Sequence, residues 1–116
     1  MNTERARKLC LSLPHTTENV QWGNDLVMKI AGKMFCVLVL DPGPLCASFK
    51  VTPEQFAELV ERPGIVPAPY AARYHWVALE SFDALPAREL EAFVRQSYEL
   101  VFAALPKKKR TELRPG

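Results

Sequence analysis

Apolar and polar positions divide the chain into helix-like and strand-like stretches. In residues 3 to 13, Ala6, Leu9, Cys10 and Leu13 recur at helical spacing behind Thr3, a candidate N-cap, and Pro14 stops the run. Residues 15 to 25 are polar, with an exposed-looking aromatic in Gln21-Trp22-Gly23. Residues 26 to 30 and 33 to 40 read as strands joined by Ala31-Gly32, a two-residue hairpin connection. Asp41-Pro42-Gly43-Pro44 is a turn, and residues 45 to 50 give a third strand. Thr52-Pro53-Glu54-Gln55 opens a second helix: Thr52 can cap it, Pro53 suits its first position and Gln55 completes a capping box. Phe56, Leu59 and Val60 form its stripe, and Pro63-Gly64 ends it. A Pro-rich connection, residues 64 to 72, leads to a further strand at residues 74 to 80. The last helix runs from about residue 86 to 105, with Leu90, Phe93, Val94, Ser97, Tyr98, Val101, Phe102 and Leu105 on one face.

These elements predict an α+β fold: a twisted antiparallel sheet of five or six strands, with the N- and C-terminal helices side by side on its apolar face. Pairing Leu40 with Leu45 across the turn sets Cys36 opposite Phe49 and Phe35 opposite Lys50. One face then carries Met34, Cys36, Leu38, Leu45, Ala47 and Phe49, and receives the helices. The other carries Lys33, Phe35, Val37, Cys46, Ser48 and Lys50, two lysines on neighbouring strands beside an aromatic ring. A one-residue slip would reverse one strand.

At 116 residues the chain fits one domain, and its composition, 48% hydrophobic and 24% charged, is that of a globular protein. No apolar run approaches the ~20 residues that span a bilayer. The first residues carry Glu4, Arg5, Arg7 and Lys8 without an apolar signal region, so the expectation is a cytoplasmic protein without membrane partner, and a monomer. Three cysteines, Cys10, Cys36 and Cys46, lie in apolar patterns without a C-x-x-C pair, which suits buried reduced thiols and no structural metal. The net charge of +2 conceals an asymmetry: five of the fifteen basic residues follow position 105, with Glu112 as the one acid there. The division expected is a domain over residues 1–106 and a basic tail over 107–116. The body is net negative, so any nucleic-acid surface must be a local patch or the tail.

Chemistry is concentrated in Arg73, Tyr74, His75 and Trp76, which mix a cation, an imidazole and two aromatic rings. His75 lacks a local nucleophile or orienting carboxylate, so a hydrogen-bonded strand histidine is the simpler reading. His15 follows Pro14 in a loop, and the two histidines lack the spacing of a helical zinc site. Trp22 and Trp76 could stack on bases or a peptide, or close a core edge. Lys107, Lys108, Lys109 and Arg110 could clamp phosphates or simply end a helix in solvent. The serines lack a nucleophile-elbow context, no phosphate-binding glycine loop is present, and no cofactor is implied. The expectation is a binding module, not an enzyme.

The order of Leu13-Pro14, Trp22-Gly23, Met28-Lys29-Ile30 before Gly32-Lys33-Met34-Phe35, and Lys50 at a strand end resembles the MmcQ/YjbR family. So do Tyr70, Arg73, His75-Trp76, Ser97-Tyr98-Glu99-Leu100-Val101 and Leu105-Pro106-Lys107-Lys108. The resemblance covers almost the whole chain. It implies a CyaY-like (frataxin-like) two-layer α+β domain and a DNA-binding, double-wing role. The matching positions are Trp22, Gly23, Lys29, Gly32, Lys33, Lys50, Arg73, His75 and Trp76. Ala72 stands where the family often has Asn, and Tyr74 where it often has a second basic residue, which leaves fewer polar donors beside Arg73. The frataxin likeness is of fold: Glu4 among Arg5, Arg7 and Lys8 is no acidic ridge for iron. DNA is therefore the expected partner, through Lys33, Lys50, Arg73, His75, Trp76 and Lys107 to Arg110. The alternative is a protein-interaction or small-ligand module using Trp22, Tyr74, His75 and Trp76.

Overall fold

The N-terminal helix α1 (Thr3–Ser12) begins one residue earlier than its sequence suggests. Asn2, not Thr3, is the cap, and its side-chain oxygen accepts from the Arg5 amide at 2.8 Å. This is a computed structural model of the chain, describing residues 1–115. The polar stretch after α1 is a strand, β1 (Thr16–Gln21). It escapes the usual alternation because it is an edge strand with little of either face buried. Its inward-facing Glu18 is held by Arg7 of α1 through bonds of 2.9 and 2.7 Å. That guanidinium holds the Glu18 carboxyl below its ordinary range.

β2 (Asp25–Ile30) and β3 (Lys33–Val39) form the expected hairpin, and β4 (Ala47–Lys50) comes after the Pro-Gly turn. The second helix α2 (Pro53–Leu59) has the capping box complete: Thr52 accepts from the Gln55 amide at 3.2 Å, and Gln55 accepts from the Thr52 amide at 3.0 Å. β5 (Ile65–Pro67) precedes β6 (Trp76–Leu79), and the long helix is α3 (Ala87–Ala103). The sheet order is β1-β2-β3-β4-β6-β5, antiparallel throughout. The strand expected from residue 74 begins two residues later, because Ala72–Tyr74 form a 3-10 turn and His75 takes a left-handed φ of 65°.

The register expected across the turn is present: Cys36 pairs with Phe49, Val37 with Ser48 and Leu38 with Ala47. A bulge nevertheless reassigns the faces. Met28 pairs with Cys36 but Lys29 with Met34, so Phe35 is the extra residue. Phe35 therefore turns into the helical side, fully buried and edge-on to Tyr98 at 5.3 Å, while Met34 moves to the opposite face. In the connection before β4, apart from the bulge, Cys46 packs with the helical side and Leu45 on the other, also the reverse of the expected faces. The expected face with Phe35 beside Lys33 and Lys50 does not form.

Ser97 of α3 secures this bulge. Its hydroxyl donates to the Phe35 carbonyl at 2.6 Å and accepts from the Lys50 amide at 2.9 Å, in a fully buried position. Around it α1 and α3 lie together on the sheet, with Cys10, Leu90, Val94 and Tyr98 covering Met28, Ile30, Cys36, Leu38 and Phe49. Each large apolar side chain buried here contributes about 1.5–3 kcal/mol.

Within the basic stretch expected after Pro106, residues 107–114 fold against the domain. Lys107–Leu113 form a short helix, α4, and Leu113 packs against the main core. Arg114 grips the Glu99 carboxylate with bonds of 3.1 and 2.9 Å and lies 3.7 Å over the Phe102 ring. The His15 ring sits 3.1 Å from the Leu113 carbonyl, tying α4 to the start of β1.

Candidate functional site

The helices cover one face of the sheet and leave the other without a helical layer. Side chains alternate across a strand, so the register defines that open face row by row. Its central row crosses all six strands: Asn19, Val27, Val37, Ser48, Ala78 and Val66. On one side lie Asp25, Val39 and Leu45. On the other lie Lys29, Met34, Lys50 and Trp76. Val27, Val37, Ala68, Trp76 and Ala78 are buried together as a second, smaller core. A groove of about 540 Å³ opens over them.

Two aromatic residues stand at its rim. Trp22, in the β1–β2 connection, is 65% exposed, and Tyr70, in the β5–β6 connection, is fully exposed. Both have left-handed backbones, φ 51° and 65°, which costs a non-glycine residue about 1–2 kcal/mol. The Tyr70 loop is folded onto the sheet by the Ala68 amide, which donates to the Trp76 carbonyl at 3.0 Å. Within the groove the Ser48 hydroxyl and the Asp25 carboxylate use none of the side-chain hydrogen bonds or ion pairs found among the described residues.

The basic groups collect at the end of the sheet where the β2–β3 hairpin turns. Lys29 and Lys33 flank the hairpin tip, Lys50 ends β4, and Arg73 lies in the turn leading to β6. Lys33 and Arg73 are exposed. The Lys50 ammonium donates to the Tyr74 carbonyl, and partial burial lowers its pKa. Arg73 lies 4.8 Å over the Tyr74 ring and bonds its hydroxyl at 2.7 Å. The His75 ring meets Phe56 of α2 edge-on at 5.8 Å. Trp76 is 5% exposed and forms the groove floor, so it offers no free stacking surface.

The structure thus brings Lys50, Arg73, His75 and Trp76 together, with Lys33 at the start of the neighbouring β3. Lys107 to Arg110 belong to the helical layer instead. His15 precedes β1, whose Thr16 pairs with Ile30, so α4 docks at this same end of the molecule. Lys107 and Lys108 are exposed, Lys109 pairs with Glu112 at 3.2 Å, and Arg110 bonds the Leu105 carbonyl at 3.1 Å. Of the four aromatic-surface residues expected, Trp22 and Trp76 line the groove, and Tyr74 and His75 do not. Sequence reasoning passed over Asp25 and Ser48 as site residues. Their shared face is a consequence of the register, which the hairpin and turn could have given.

Comparison with known proteins agrees with this architecture. The family model described as YjbR matches residues 11–100. A crystal structure of a Deinococcus radiodurans protein with the DUF419 domain superposes with a TM-score of 0.87 at 31% identity, covering 97% of this chain and 87% of that one. A protein from Pseudomonas syringae superposes with a TM-score of 0.70 at 22% identity, covering 86% of this chain and 98% of the other, a likeness of fold. No curated protein matches the chain. No helix among the described residues is long and apolar enough to cross a membrane.

Proposed function

The chain belongs to the YjbR family, and from that premise we propose that it is a nucleic-acid-binding module, a binder without catalytic role. It engages double-stranded DNA weakly and with little sequence preference. The observation that supports this reading is the gathering of cations at one end of the molecule. Lys29 and Lys33 beside the hairpin tip, Lys50 at the end of β4 and Arg73 in the turn before β6 lie at that end, and α4 with its lysines docks there from the helical layer. Flexible ammonium groups flanking a narrow tip suit phosphates, and phosphate contacts position a protein without reading sequence. Trp76 contributes as floor packing that fixes the start of β6, and His75 as a spacer against α2.

Fluorescence anisotropy of a labelled duplex tests this. With about 4 phosphates neutralised, log affinity falls against log salt with a slope of about −3.6. The triple variant Lys33→Ala/Lys50→Ala/Arg73→Ala is expected to lose most of that slope and affinity. Absence of binding at low salt, or a triple variant identical to the parent, removes this surface from the proposal. If a variant lacking residues 107–116 loses binding while the triple variant keeps it, the contact belongs to α4 and not to the hairpin end.

A further inference from the structure

The groove on the open sheet face carries chemistry that phosphate binding does not use. Its ends differ. One end has Trp22 and Asp25, and the other has Tyr70 and Trp76, with Val37 and Ser48 on the floor between them. The Asp25 and Trp76 rows stand four residues apart along the strands, about 13 Å. The volume falls within the range of small-molecule sites, about 300–1,000 Å³. Asp25 contributes the one formal charge of the lining, and it enters none of the ion pairs among the described residues. A carboxylate beside an exposed indole face is the pairing that attracts an organic ammonium. The rest of the lining attracts an apolar body.

We propose that this groove binds an elongated organic cation: an ammonium head against Trp22 and Asp25, and an apolar or aromatic body lying over Val37 and Ser48 toward Tyr70 and Trp76. The Trp22 and Asp25 end of the groove lies away from the basic end, which the groove meets only at Met34 and Trp76, so the proposal stands whether or not the protein binds DNA. Trp22 is largely exposed in a strained left-handed backbone, so the free protein gains little from holding an indole there. A ligand covering the ring gives that residue its use. Ser48, midway along the floor, offers one hydroxyl to a polar group in the body of the ligand.

The test uses the full chain and (4-phenylbutyl)trimethylammonium as probe, with 4-phenylbutanol and 4-phenylbutanesulfonate as neutral and anionic counterparts. The two indole N–H resonances of Trp22 and Trp76 report binding directly. The cation is expected to shift both signals saturably, with Kd of about 1 mM or tighter. It should bind about 10-fold more tightly than the alcohol, with the sulfonate weakest. Asp25→Asn should remove most of the difference between cation and alcohol, and Asp25→Glu should retain it. Tyr70→Ala should weaken the cation and the alcohol alike, while Lys33→Ala changes neither. All these positions are exposed or half-buried, and an unchanged amide spectrum elsewhere certifies the fold. The proposal is overturned if the cation does not saturate, if the alcohol or sulfonate binds as well, or if Asp25→Asn is without effect. It is equally overturned if the indole signals move with protein concentration in the absence of probe, because a second copy then fills the groove.

Discussion

At the scale of single residues, Ser97 links the two layers. One hydroxyl serves both the Phe35 carbonyl at the bulge and the Lys50 amide at the end of β4. In water each of those groups would find a partner, but here they lie under α3. Ser97→Ala leaves both without that partner in a dry site, and the expected loss is about 1–3 kcal/mol. Chemical denaturation measures it, read as a lower midpoint at unchanged slope. Because Ser97 holds the residue that the bulge turns inward, the variant should also perturb the Phe35 ring resonances more than those of Phe82, which packs on the same core from the 3-10 turn Phe82–Ala84 before α3. A variant as stable as the parent would mean that the bulge holds itself.

At the scale of elements, local chemistry and tertiary pairing differ in reach. The β2–β3 hairpin turns through Ala31 and Gly32, both left-handed at φ 50° and 79°. Glycine adopts that conformation freely, but alanine does not, and Asn-Gly is the pair such a turn prefers. Ala31→Asn is expected to stabilise the protein by about 0.5 kcal/mol, seen as a small rise in Tm. Ala31→Val should lower it, since a β-branched residue at positive φ is more strained. In α4 the opposite relation holds. A run of like charges has little helical drive of its own, and its order depends on Leu113 in the core, Arg114 on Glu99 and the His15 contact.

At the scale of the whole molecule, the sheet is a wall with one face closed by helices and the other open to the groove. Cys10 and Cys36 lie behind the wall, fully buried, whereas Cys46 is half-buried. Burial raises the Cys46 thiol pKa, and Cys36, against Cys10, is held well above the usual thiol range. A thiol reagent applied to the native protein at neutral pH should therefore label Cys46 slowly. Cys10 and Cys36 should react only with global unfolding, at a rate that tracks denaturant. Rapid native labelling of two or three thiols would show that the helical layer opens locally.

The sequence by itself determined whatever depends on neighbours a few residues apart. The α2 cap, the apolar stripe of α3, the hairpin and the β3–β4 register were all legible, because caps, helical periods and tight turns act over three to six residues. So was the family, from the order of short motifs along the chain. Tertiary structure decided the rest. β1 is a strand because β2 offers it an edge, not because its own residues alternate. Phe35 and Met34 exchange faces because one extra residue is absorbed between strands. Trp76, read as part of an exposed surface, is floor because β4 and the loop before β6 close around it. Asp25, Ser48, Tyr70 and Trp76 line one groove although up to fifty-one positions separate them. No local pattern encodes such an arrangement, because it arises from strand pairings that form only when the whole sheet is assembled.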